Sequence, residues 1–202
     1  MKRKLRDILD SDKQFIKELA STYSDDGVST VLINGFDNED KIIDTFLAAS
    51  KMNSKFDFKS AIIRTWTLSR ASEIINGAFS MYGISSNILL TQNGSVEIAD
   101  VRYKSDKYIQ NSWMPINEDL SIYFPVEGVL SSGDKDLNKF RESLQNDHSK
   151  LKIIITTNDY NVDTSVLDDL VDRYILLDSS SKYPNVYNTI LDRKNIQKLP
   201  YE

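Results

Sequence analysis

Five short stretches of this chain are dominated by Val, Ile, Leu and aromatic residues without a polar residue at every second position, and they constrain the fold more than any other feature. They lie at 28–34, 61–68, 120–124, 151–157 and 174–177, the fourth reading Leu-Lys-Ile-Ile-Ile-Thr-Thr. A strand with one wet face alternates, whereas a strand covered on both faces reads as a continuous apolar run, as in parallel sheets. Amphipathic stretches with a 3.6-residue period separate the runs. Ile42, Ile43, Phe46 and Leu47 mark a helix over 38–52. Ile74, Ile75, Ala78, Phe79 and Tyr82 mark one that Ser69 caps and Gly83 ends, and Leu137, Phe140 and Leu144 mark one near 134–147. Val166, Leu167, Leu170 and Val171 suggest a further helix, and 184–195 a closing one. Strands alternating with helices predict an α/β fold, three-layer α/β/α with a mostly parallel central sheet.

Outside this alternation, residues 2–24 read as a helical segment, with Ser11 and Gln14 as a capping box that restarts it. Ile88–Leu90 and 96–103 read as short strands about an Asn93-Gly94 turn, a hairpin insertion. Trp113, in a segment without clear periodicity, is expected to pack over the core. The 202 residues are expected to form one domain, comprising the helical segment 1–26, a core over 28–178, and a C-terminal helix and tail over 179–202. With 7 Gly and 4 Pro there is little room for disordered linkers. A formal charge of −5 lacks the basic field of a protein that coats nucleic acid unaided. The absence of cysteine excludes disulfides, cysteine-zinc sites and thiol nucleophiles. No apolar run approaches 18 residues, so a cytoplasmic, unanchored protein is expected.

The strand at 28–34 runs into Gly35-Phe-Asp-Asn-Glu-Asp-Lys41-Ile42, which opens a helix. Set against the phosphate-loop pattern G-x-x-x-x-G-K-[ST], Gly35 and Lys41 fall in register, but Asp40 replaces the second glycine and Ile42 the Mg²⁺-binding hydroxyl. Such a loop works by wrapping backbone N–H groups around a phosphate at a helix N-terminus. Asp37, Glu39 and Asp40 put carboxylates where the polyphosphate should lie, and two like charges 4 Å apart repel by roughly 4 kcal/mol near a protein surface. The plain alternative is that Asp37 or Asn38 caps the helix, the acids favour its first turn and Lys41 is solvated.

Further along, Ile153-Ile-Ile-Thr-Thr-Asn158-Asp159 resembles the sensor-1 strand of the AAA+ family of P-loop ATPases, helicase-loader and clamp-loader-like members in particular. Over 28–178 the order of elements is similar to that family. The resemblance implies a P-loop NTPase-like fold, with Asn158 facing a γ-phosphate and Arg173, matched to the arginine that ends the family's next helix, acting across a subunit boundary. The strand at 120–124 takes the place of Walker B, yet its metal-binding acid is missing and the first carboxylate after it is Glu127. A hydrolytic site needs an acid for the metal and one to orient the water. The resemblance therefore implies a catalytically inactive binding subunit of a DNA-replication or DNA-processing assembly. Gly35, Lys41, Glu127 and Asn158 would be vestigial nucleotide-site positions, with no cofactor and with a protein partner such as an active ATPase or helicase, in an oligomer or hetero-complex. Two alternatives stand beside it: a weak nucleotide-binding ATPase using ATP and Mg²⁺, and an unrelated α/β interaction protein of a phage, plasmid or defence system.

Other candidate chemistry is thin. His148, the only histidine, sits among Asn146, Asp147 and Ser149 and reads as a solvated or capping residue rather than a base. Asp159, Asp163, Asp168, Asp169 and Asp172 have no ordered ligand spacing, so no metal site is expected. Arg64, Trp66 and Arg70 combine an aromatic with cations, as a strand-binding surface does. Arg64 and Trp66 share one face of a strand, however, so an internal cation–π contact is the preferred reading. Lys2, Arg3, Lys4 and Arg6 form the one basic cluster, too small to define a nucleic-acid footprint.

Overall fold

The structure is a computed structural model that describes residues 5–9, 12–157 and 159–201. Among the described residues, eight strands form one sheet: β1 (Leu5–Leu9), β2 (Thr30–Asn34), β3 (Ala61–Thr65), β4 (Gly94–Ile98), β5 (Val101–Lys107), β6 (Leu120–Tyr123), β7 (Leu151–Ile155) and β8 (Arg173–Leu177). Their order across the sheet is β1-β8-β2-β7-β6-β3-β5-β4. Every neighbouring pair is parallel except β4 with β5.

The continuous apolar runs are explained by cover on both faces. Val31, Ile33, Ile153, Ile155, Ile175 and Leu177 point into one core with helices α1 (Asp12–Thr22), α2 (Asn38–Phe56) and α3 (Leu68–Met81). Leu32, Tyr123 and Ile154 point the other way, against α4 (Glu127–Leu130) and α5 (Asp134–Gln145). Alternate residues of one strand thus feed opposite cores, both apolar. The α/β class with a mostly parallel sheet, in three α/β/α layers, is as the periodicity predicts. Helix α6 (Pro184–Lys194) buries no residue completely and packs with Leu199 and Tyr201 against Phe36 and Leu176. Pro184 opens it, where no N–H is needed.

Several expectations are corrected. Residues 5–9 are a strand rather than the start of a helix: they pair with β8 from Leu5↔Arg173 to Leu9↔Leu177, a long-range contact that no local pattern encodes. Lys2, Arg3 and Lys4 lie outside the described residues. Ile88–Leu90 is not a strand, because its N–H groups are taken by side chains of α3: Ile88 N–H donates to Asn76 Oδ1 and Leu90 N–H to Ser72 Oγ. The hairpin exists but turns at Ala99 and Asp100, whose φ of 48° and 62° fit a type I′ turn. Asn93-Gly94 instead forms a turn leading into β4, in which Gly94 N–H donates to Thr91 O. The stretch 166–171 holds only a 3-10 turn at Ser165–Leu167. Trp113 does not cover the core; two thirds (67%) of it is exposed.

The end of α3 follows expectation in detail. Gly83 adopts φ 71°, its N–H donates to Ser80 O, and Ile84 N–H donates to Phe79 O, the paired bonds of a Schellman cap.

Candidate functional site

In an open parallel sheet the binding crevice lies outside the carboxyl ends of the strands. Here the ends of β2, β7, β6 and β8 bring Gly35, Thr156 and Thr157, Glu127, and Ser179 to one edge. Gly35 is held there sterically: its φ is 156°, and a Cβ on it would lie 2.6 Å from the Leu177 carbonyl oxygen. The chain then enters α2 through Asp37, whose Oδ1 accepts the Asp40 N–H at 2.8 Å. Asp37 is thus a helix cap, as one reading of the sequence had it.

Lys41 is not solvated. It has no exposed surface, and its ammonium donates to Asp159 Oδ1 at 2.9 Å and to the Thr156 carbonyl at 2.7 Å. The second carboxylate oxygen of Asp159 accepts the Gly35 N–H at 2.7 Å and lies 3.4 Å from Asn34 Nδ2. A fully buried carboxylate therefore sits between the first glycine and the lysine of the loop, the two groups that a phosphate would bridge. The pair is closed to water, so each charge depends on the other: an isolated ion in such a setting costs several kcal/mol.

Asp40, at the position of the missing glycine, turns the other way. It has no exposed surface, and its Oδ2 accepts from Ser179 Oγ at 2.9 Å while Oδ1 accepts from Lys182 Nζ at 2.9 Å and from the hydroxyls of Tyr82 and Tyr183. Lys182 also reaches Asp12 Oδ2 at 3.0 Å. One ammonium thus ties the starts of α1 and α2 to the segment before α6. Although burial opposes its charge, the bonds to Asp40, Asp12 and Tyr82 hold the Lys182 ammonium well above the ordinary lysine range. One turn further along α2, Asp44 is buried with Oδ2 unpartnered. Burial, with the nearby charges of Asp12 and Asp40, pushes its carboxyl up to about 7. Asp37 is pushed up to about 6, mainly by burial and against the lowering effect of the Asp40 N–H.

The other positions singled out from sequence fall in different places. Glu127 opens α4, and its Oε2 accepts the Thr157 N–H at 3.3 Å, so it braces the end of β7. Asn158 lies outside the described residues. Arg173 is the first residue of β8, not the end of a helix, and sits at the amino end of that strand, where Glu18 Oε2 of α1 is 3.6 Å from its guanidinium. Four strand steps, about 13 Å, separate it from the crevice edge. Arg64 is fully buried and donates to Ser143 Oγ at 2.6 Å, Tyr123 Oη at 3.3 Å, the Asn111 carbonyl at 3.3 Å and Asp106 Oδ2 at 3.5 Å, with its guanidinium 5.7 Å from the Tyr123 ring centre. This is an internal network, and its aromatic partner is Tyr123 rather than Trp66. Trp66 is half-buried over Gly128, where a Cβ would come within 2.6 Å of the ring. Arg70 is exposed and pairs with Glu73. The structure brings Gly35, Lys41 and Glu127 to one crevice and disperses Arg64, Trp66, Arg70 and Arg173.

Sequence reasoning passed over Asp159, weighing it only as one member of an acidic cluster, and missed Lys182. No local signal names Asp159: the run Asp40–Phe46 is buried throughout in the fold, so the Lys41 ammonium requires an acid, but that burial comes from tertiary packing and DKIIDTF does not announce it. Among the described residues, no group of three or more His, Cys, Asp or Glu side chains is placed to hold a metal ion. A cleft of about 440 Å³ lies on the outer side of the loop, between Phe36 and Glu39 and the Val186 and Arg193 positions of α6. It does not reach the closed Lys41 site. No protein-family model matches this chain, and a search of curated proteins gives no match.

Proposed function

We propose that this chain is an AAA+-like binding subunit that works without nucleotide, contributing a fixed interface to a DNA-processing assembly rather than hydrolysis. One observation carries the reading: the Asp159 carboxylate occupies the position between Gly35 N–H and Lys41 that a nucleotide phosphate would need. The placement of β2 inside the sheet, between β8 and β7 with β6 next, supports the frame, because it brings the loop, the β7 end and Glu127 together. A weak ATPase is disfavoured by the same contact. MgATP would have to expel a buried carboxylate from its lysine, and Glu127, the first acid after β6, is already braced against Thr157 N–H.

A binding role has a surface to act through. Met81, Ile84 and Leu89, at and beyond the end of α3, are 76%, 48% and 68% exposed. Exposed apolar side chains clustered in one short segment mark an interaction site more often than scattered ones do. Arg173 already pairs with Glu18 in its own chain, so the interface reading rests on this apolar segment.

The test is calorimetric titration of the purified chain with ATP, with and without Mg²⁺, paired with thermal unfolding in millimolar nucleotide. No binding heat and no shift in Tm are expected. Saturable, Mg²⁺-dependent binding would refute the reading, since ligand well above Kd must stabilise the native state.

A further inference from the structure

The sheet ends at β4, and among the described residues no strand pairs beyond it. A two-residue turn, Ala99-Asp100, joins β4 to β5, so the flanking pair Ile98↔Val101 exchanges both of its main-chain hydrogen bonds and, two residues on, so does Val96↔Tyr103. The intervening residues, Ser95 and Glu97, therefore turn their N–H and C=O groups away from β5. Among the described residues no loop or turn backbone bonds to those groups, and both residues are exposed. A row of uncovered main-chain donors and acceptors is a template for a further strand, which proteins usually blunt with Pro, Lys or a bulge. β4 reads Gly-Ser-Val-Glu-Ile, without Pro or Lys, and pairs with β5 without a bulge from Gly94 to Ile98.

The strand is also complementary to itself. A two-fold axis through Val96 sets Ser95 opposite the second copy's Glu97, Val96 opposite its own counterpart, and Gly94 opposite the second copy's Ile98. Every outward N–H and C=O of Ser95 and Glu97 then meets its complement. A hydroxyl faces each carboxylate, with Arg102 beside Glu97 on the same chain. Val96, half-buried against the main core, is covered by its counterpart. An axis through Glu97 would oppose two carboxylates directly, which is unfavourable. One through Ser95 would set Glu97 against Asn93, which has a φ of 57° and lies outside the ladder.

We propose that the β4 edge is a homodimer surface, to which a second copy of this chain adds its own β4 antiparallel, centred on Val96, making one sheet continuous through both chains. The surface uses neither the 35–41 loop nor the exposed 81–89 segment, so it stands apart from the nucleotide-independent reading. One strand edge buries less than the about 1,200 Å² at which standard interfaces begin, so the association is weak and concentration-dependent. It stops at two, because an isologous contact occupies both edges.

The experiment is sedimentation velocity of the full chain from micromolar to millimolar concentration, with circular dichroism to establish folding. The mass is expected to move from that of one chain towards that of two and no further. Glu97→Pro removes an N–H that faces away from β5, so it is expected to leave the fold intact and abolish the dimer. Ser95→Glu, which opposes two carboxylates across the axis, is expected to weaken the dimer by about tenfold or more, whereas Ser95→Lys is expected to preserve or tighten it. The opposite responses to the two charges test the register as well as the edge, and the Ser95 pair decides the matter if Glu97→Pro fails to fold. A chain that stays monomeric at millimolar concentration, a dimer unaffected by Glu97→Pro and Ser95→Glu, or species growing beyond two would overturn the proposal. So would capture of an extended peptide at this edge by a chain that remains monomeric, which would assign the edge to a foreign strand.

Discussion

Replacing Lys41 by methionine and Asp159 by alanine, singly and together, tests the closed site by its energetics. Neither side chain has any exposed surface, and the ammonium and carboxylate are 2.9 Å apart. Removing one partner of such a pair leaves an uncompensated buried charge and costs about 3–5 kcal/mol. For a domain of this size, about 2–4 °C of Tm per kcal/mol makes that a fall of about 6–20 °C. The two losses are alike in kind. In Lys41→Met the carboxylate keeps the Gly35 N–H but the Thr156 carbonyl loses the ammonium, whereas in Asp159→Ala the ammonium keeps that carbonyl and the Gly35 N–H loses its acceptor. The double variant leaves only these two backbone groups unmet, at about 1–3 kcal/mol each, and some lost packing, so it should be more stable than the two single costs added together. Urea unfolding followed by circular dichroism, read as a double-mutant cycle, gives the coupling. Costs that simply add to within about 0.5 kcal/mol would refute the buried pair, because uncoupled sites behave that way.

Two other outcomes follow from the buried polar groups. Asp44, raised to about 7, binds a proton in the native state over a range where an unfolded aspartate, near 4, has lost it. Its contribution is therefore full below about pH 4 and is lost as pH rises through 7, at up to about 4 kcal/mol for a shift of three units; denaturant melts from pH 5 to 8 should show stability falling, and Asp44→Asn should flatten the slope, whereas an unchanged slope would refute the assignment. Arg64→Met should cost about 1–3 kcal/mol by leaving acceptors unmet around Tyr123 and Ser143, with any single-strand affinity measured by fluorescence anisotropy unchanged; a fall in that affinity with stability intact would instead make Arg64 a nucleic-acid contact.

How much of this was legible in the sequence differs from element to element. The runs at 28–34 and 151–157 announced strands buried on both faces, because parallel strands between two helical layers cannot afford a polar side. Gly83 announced the end of α3, since a left-handed Schellman position selects glycine. The segment 88–90 misled because its apolar residues do pack, but its backbone donors go to Asn76 and Ser72 rather than to a strand. Asn93-Gly94 misled because it marks a turn without saying which strands flank it. Arg64 was ambiguous for a related reason: a cation beside aromatics reads the same whether the pair faces solvent or core, and only burial separates the two.

At the site the division is sharper. Local sequence alone determined that a strand runs into a glycine-led loop and then a helix with Asp37 or Asn38 available to cap it, since a cap, a helical period and a buried strand are each encoded within a few residues. It also placed Gly35 and Lys41 in register. Tertiary structure decided what fills the space between them, because Asp159 is 118 residues from Lys41 along the chain and meets it only once β7 lies beside β2. Likewise, that Asp40 is neutralised by Lys182 rather than repelling an anion depends on the C-terminal segment folding back over α2. The charges of the loop were readable as residues; their partners, and so their energies, belong to contacts between distant segments.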